Sequence, residues 1–203
     1  MKPDELRAPL PPAAVDWVDE AVRQVEADPG AVARLFPRAA RACGRAPLAG
    51  LPGWTADEAA RALLLAALPG DRVAAEAERL YRYGDANEKR AVLRALPLLP
   101  IGDAAVPLLH DAIRTNDTRL VGAALGPYAA HLDAATWRQA VLKCVFMGLP
   151  LSIVDQLDAR ADEELRVMLA GLAEERAAAG RPMAPDATGL LNRLSGTALR
   201  KEA

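Results

Sequence analysis

The sequence predicts an all-α fold, a right-handed stack of antiparallel helix pairs. Three observations predict it. Hydrophobic residues make up 52% of the chain but aromatics only 4%, so alanine and leucine must fill the interior. Those two rank at the top of helix propensity, whereas sheets favour β-branched and aromatic residues. Apolar residues recur at helical spacing between Pro- and Gly-bearing breaks. A weak internal repeat sets two helices in each period. At 203 residues one domain is expected over 1–203, with an N-terminal arm at 1–12 and a flexible tail at 195–203.

The elements follow in order. Pro9, Pro11 and Pro12 stiffen the arm. A first helix is expected from Ala13 to Ala27, with Val15, Val18, Val22 and Val25 at helical spacing, stopped by Pro29-Gly30. A second is expected from Ala31 to Cys43, kinked or split by Pro37. Gly44 to Gly53 reads as a loop. Thr55 reads as the N-cap of a third helix running to Leu68, with Asp57 and Glu58 in its first turn, where acids suit the dipole. A fourth runs from Asp71 to Tyr83, with Gly84 as a left-handed cap. Asp85 and Glu88 then form a capping box for a helix that ends at Leu96 before Pro97.

The repeat aligns residues 89–97 with 119–127 and keeps Asn87 and Asp117 in register. A helix from Asp103 to Arg114 lies between the two copies. The run Val106-Pro107-Leu108-Leu109, Asn116-Asp117 and Val121 to Gly126 is similar to the HEAT-repeat pattern, which points to a HEAT-like α-solenoid. The last third shows helices from Ala134 to Met147 after an Asp133 cap, from Asp162 to Ala179, and from Asp186 to about Arg193 or beyond.

Composition excludes several functions. Net charge is −2 without a basic stripe, which argues against nucleic acid. Cys43 and Cys144 are far apart and form no C-x-x-C pair, so a reducing cytoplasm is the expected location. Residues 1–12 hold four charges and no apolar core, unlike a secretory signal. The longest apolar run, between Lys143 and Asp155, falls well short of the roughly 20 residues of a membrane span. His110 and His131 have no partners at metal-ligand spacing, and no G-x-S-x-G or P-loop is present. No catalytic residue, metal or cofactor is predicted.

Lys143 is the residue of most interest. It is the single charge between Ala140 and Val154, on the narrow face of an otherwise apolar helix. Such a lysine reaches water or meets a carboxylate, and Asp155 and Asp158 are the candidate ion-pair partners. The functional alternative is an anion-binding or Schiff-base lysine. Arg160, near a helix start, and Arg181, after Gly180, are further anion-binding candidates. Asn116, Tyr128 and Trp137 would join Lys143 in one pocket if the helix ends converge. Cys144, beside Lys143, reads as an inert buried thiol rather than an activated one.

Short pieces in the right order carry a family resemblance: Gly84 to Arg90, Thr115-Asn116-Asp117, Trp137 to Lys143, Gly148 to Leu151, Leu157 to Ala161, and Glu174 to Arg181. Together they resemble the EboA domain family. The chain departs from that pattern at Gly126, where many relatives carry Asn, and at Ala177, where many carry Trp. The resemblance implies a bacterial protein encoded beside a UbiA-type membrane prenyltransferase and other companion proteins. It further implies a role in secondary metabolism, where in cyanobacteria the cluster serves export of a pigment precursor. The expected function is a non-catalytic adaptor or scaffold binding partner proteins or a metabolite. The alternative is a binder or enzyme acting on a phosphate-bearing or isoprenoid substrate through Lys143 and the arginines.

Overall fold

A computed structural model describes residues 2–201 of the chain, and side chains through residue 196. The fold is all-α. Among the described residues the only β pairing is one isolated bridge between Pro47 and Thr55. The chain divides into two compact units, Met1–Asp111 and Ala112–Ala203.

In the first unit, α1 (Pro3–Arg7) and α2 (Pro12–Ala27) each open on a proline, whose fixed φ suits a first helical position. The expected arm thus contains a helix, held down because Leu6 and Leu10 are buried. Pro37 does split the second predicted helix. It yields α3 (Val32–Leu35) and α4 (Ala39–Cys43), separated by a 3-10 turn at Phe36–Arg38. α5 (Ala56–Ala66) packs against α1, α2, α4, α6 (Gly70–Tyr83) and α7 (Ala86–Ala95).

α5 is buried on every side from Ala56 to Leu65. Small alanines at 56, 59, 60 and 62 let neighbouring helices approach it closely. Buried with them are Asp57, Glu58 and Arg61, the last only 1% exposed. Arg61 Nη1 donates to Asp57 Oδ2 at 2.6 Å, one helical turn away, and Arg61 Nε donates to the Phe36 carbonyl at 3.1 Å. Glu58 accepts from Arg90 Nη1 on α7 and from the Thr55 amide at 3.2 Å.

Gly84 is not the left-handed cap the sequence suggested. Its φ of −77° is open to any residue. Glycine is needed there for closeness. A Cβ would stand 2.6 Å from the Leu80 carbonyl and 2.9 Å from Glu88 Cβ, because the chain turns straight into the next capping box. That box forms as expected. Asp85 Oδ1 accepts from the amides of Asn87 at 2.8 Å and Glu88 at 2.9 Å, and Glu88 Oε2 accepts from the Asp85 amide at 3.0 Å.

α8 (Val106–Arg114) carries the chain across residue 111. The second unit then holds α9 (Thr118–Ala124), α10 (Ala134–Met147), the single turn α11 (Leu157–Arg160), α12 (Glu163–Ala178) and α13 (Pro185–Lys201). Asp117, Asp133 and Asp162 cap α9, α10 and α12 through their side chains. The segment read as a tail falls within α13 as far as Lys201, and residues 202–203 lie outside the described residues. α10 and α12 run in the same sense. Arg138 pairs with Asp162 at their starts, and Arg176 donates to the Val145 carbonyl near their ends.

Removing one member of a buried ion pair strands the other. Arg61→Ala is therefore expected to lower stability by about 3–5 kcal/mol in urea unfolding. The double variant Asp57→Leu/Arg61→Met is expected to recover much of that loss.

Candidate functional site

The sequence-predicted site residues fall in the second unit. α10 buries Trp137, Ala140, Val141, Cys144 and Val145 on one face and leaves Lys143 half-buried on its flank. Lys143 Nζ donates to the carbonyls of Ile113 and Thr115, each at 2.7 Å. These lie at the C-terminal end of α8, where unpaired carbonyls and the negative end of the dipole attract a cation. The lysine therefore meets a helix end and not a carboxylate. Asp158 pairs with Arg193 at 3.0 Å, and the Asp155 amide donates to the Leu125 carbonyl at 2.9 Å. Two strong carbonyl acceptors satisfy the ammonium without either acid.

Arg160 has a similar task. Its Nη1 donates to the Ala129 carbonyl at 2.6 Å and its Nη2 to the Leu132 carbonyl at 2.8 Å. The guanidinium lies 4.7 Å over the Trp137 ring. Burial pushes its pKa below the ordinary arginine value, with Asp133 pulling the other way. The 3-10 turn Pro127–His131 that it braces carries Tyr128, whose ring centroid is 4.7 Å from that of His131. Arg160, Trp137 and the Tyr128 turn are thus brought together. Lys143 serves a different contact, and Asn116 and Arg181 are exposed.

Cys144 is fully buried, and burial pushes its thiol up to about 12, with Lys143 acting weakly the other way. At neutral pH it is protonated and unreactive. Among the described residues no group of three or more His, Cys, Asp or Glu side chains is placed to hold a metal ion, and no helix is long and apolar enough to cross a membrane.

The unit also contains an open groove of about 650 Å³ between residues 151–159 and α13. Leu151, Val154 and Leu157 give it apolar walls, and Asp158, Asp186 and Arg193 give it charge. Asp186 fixes one wall by accepting from the Leu151 amide at 2.7 Å. Gln156, on the groove, is the one non-glycine residue of positive φ among the described residues, at 53°. Such backbone is uncommon outside glycine and often marks a functional site. None of Lys143, Arg160, Arg181, Asn116, Tyr128 and Trp137 lines this groove. The groove is hidden in the sequence because Asp186 and Arg193 look like ordinary helix residues. The opposite charges of Arg193 and Asp158 were the available signal.

The family model described as metabolite traffic protein EboA matches residues 46–192. The chain belongs to the EboA family. The EboA match takes in α5 through the first two turns of α13, including Lys143, Arg160 and the groove as far as Asn192. No curated protein and no solved structure matches the chain.

Two measurements check the roles assigned above. Lys143→Met leaves two carbonyls without their cation, and is expected to lower stability by about 2 kcal/mol in urea unfolding. Asp162 is held below the usual carboxylate range mainly by the Arg138 hydrogen bond. A depressed folded-state pKa adds stability that is present above the unfolded value of about 3.9 and is lost as pH falls through the folded one. Stability is thus expected to decline on acidification below about pH 4. Asp162→Asn, which keeps a capping side chain, is expected to decline less over the same window in pH-dependent unfolding.

Proposed function

We propose that this EboA-family chain is a non-catalytic helical adaptor in metabolite traffic, which holds a metabolite or a segment of a partner protein in the groove beside α13. One observation carries the reading. In the second unit the two cations the sequence offers as anion ligands, Lys143 and Arg160, are engaged with backbone carbonyls of the fold, while the groove stays open with apolar walls and a charged rim. That arrangement suits reversible capture of an amphipathic molecule. A reaction routed through Lys143 would first have to break both of its carbonyl bonds.

The family supports a finer version of the proposal. The chain acts in the cytoplasm of a bacterium, in a secondary-metabolite pathway of the ebo type. It passes a precursor toward export together with companion proteins, among them a UbiA-type membrane prenyltransferase. A HEAT-like stack of antiparallel helix pairs is the architecture proposed for that scaffold. The matching local patterns at Asp85–Pro97 and Asp117–Pro127 support it, each a capped helix running into a Pro-bearing 3-10 turn or its approach.

Thermal-shift and native-mass measurements with uncharged prenyl alcohols and with the purified companion proteins test the proposal. Binding by at least one is expected, without turnover. Ala159→Trp, on the exposed groove wall, is expected to abolish that binding while leaving the melting temperature nearly unchanged. Product formation that disappears in Lys143→Met would overturn the non-catalytic reading. Binding that persists in Ala159→Trp would remove the groove from it.

A further inference from the structure

The ion-pair cluster around α5 in the first unit holds more arginines than carboxylates. Around α5, the carboxylates of Asp57, Glu58 and Glu88 face the guanidinium groups of Arg45, Arg61, Arg90 and Arg94. Three negative charges thus meet four positive ones. Both oxygens of Glu58 are already occupied, Oε1 by Arg90 and Oε2 by the Thr55 amide. Arg94 Nε stands 3.9 Å from Glu58 Oε2, beyond hydrogen-bond reach.

Arg94 is held in place by other means. Its guanidinium carbon lies 4.3 Å over the ring of Trp54, itself buried. Its Nε is buried and has no hydrogen-bond partner, and neither Nη1 nor Nη2 has one among the described residues. The side chain is 21% exposed. Burial pushes its pKa below the ordinary arginine value, which Glu58 opposes and Arg90 reinforces. Beside it, Arg90 Nη2 reaches toward the Gly53 carbonyl at 3.4 Å. Gly53 has a φ of +80°, and a Cβ there would lie 3.4 Å from Arg94 Nη1 and 3.7 Å from Nη2. A glycine at this position keeps the edge of the guanidinium clear.

We propose that Arg94, stacked on Trp54 and seconded by Arg90, forms an oxyanion-binding site for the phosphate or carboxylate group of a small molecule. The chemistry follows from the parts. A planar guanidinium offers two parallel N–H donors to an oxyanion, and here both terminal groups are unengaged. A partly desolvated surplus cation gains more from an arriving anion than one in bulk water. The Trp54 face fixes the plane of the fork beforehand, so little side-chain entropy is lost on binding. The site lies wholly within residues 53–94 and shares no residue with the groove, so it stands or falls separately from the function proposed above.

The test uses the whole chain, labelled with nitrogen-15, titrated with inorganic phosphate, pyrophosphate and acetate at constant ionic strength. The chain has three tryptophans, Trp17, Trp54 and Trp137, and Trp54→Phe identifies the resonance of interest. A saturable shift of the Trp54 indole N–H is expected, with Trp17 and Trp137 unmoved. Response to phosphate and pyrophosphate alone assigns a phosphate group, and response to acetate as well assigns carboxylates too. Arg94→Met is expected to abolish the shift. Arg94→Lys, which keeps the charge but not the fork, is expected to weaken binding about tenfold. Unchanged Trp17 and Trp137 resonances show that a variant is folded, and the lysine variant carries the test if the methionine variant is not. The proposal is overturned if no probe gives a saturable Trp54 shift, or if either variant, folded, binds as the wild type does.

Discussion

The buried Arg61–Asp57 pair on α5 is the constraint around which the first unit is arranged. A helix enclosed from Ala56 to Leu65 is expected to be apolar all round. α5 instead carries two acids and an arginine into the core. Their charges are tolerable only where other segments complete the hydrogen bonding. The Phe36 carbonyl, the Thr55 amide and Arg90 supply that completion, from the turn before α4, the loop before α5, and α7. A buried ion pair adds little net stability over apolar packing, but it penalises any arrangement that leaves a charge alone. Sliding α5 by one residue would do that to all three groups at once. The pair therefore fixes the register of α5 against its neighbours, while the alanines let them close in.

The second unit uses its cations differently. Its helices are many and several are short, so unpaired terminal carbonyls are numerous. Lys143 takes those of Ile113 and Thr115, Arg160 takes those of Ala129 and Leu132, and Arg176 reaches that of Val145. Each long side chain acts as a brace from one segment to the end of another. Arg138 and Asp162 add a charged brace at the start of α10 and α12, and Asp162 caps α12 with the same carboxylate. Residues that look like substrate ligands in one dimension are thereby tied into the scaffold. The open groove is crossed by the exposed Asp158–Arg193 pair.

What was legible in the sequence was local. Asp85 with Glu88, Asp117, Asp133 and Asp162 announce helix starts because capping involves residues two or three positions apart. Pro37 splits its helix for an equally local reason. The isolation of Lys143 was visible, but not its partners, which lie 28 and 30 residues away and are backbone carbonyls that every residue possesses. A search of the sequence for acids finds Asp155 and Asp158 and passes over them. α5 misled for a related reason. Asp57 and Glu58 fit the dipole at a helix start so well that their burial left no separate mark. Gly84 shows the same ambiguity, since glycine for closeness and glycine for positive φ are one letter in a sequence.

A protein that moves a metabolite must bind it without altering it and then release it. The most reactive groups of this chain are withheld from chemistry. Burial pushes the Cys43 thiol up to about 11 and that of Cys144 to about 12, so neither is a nucleophile at neutral pH. The half-buried lysine is tied at two points, and the arginine over Trp137 is tied at two as well. What remains open is shape and charge: a groove with apolar walls in one unit and an unengaged guanidinium in the other. Open groups of this kind exchange water for a ligand and back again without breaking the hydrogen bonds that hold the fold. A separation of bracing cations from open ones lets a carrier load and unload while its helices stay in place.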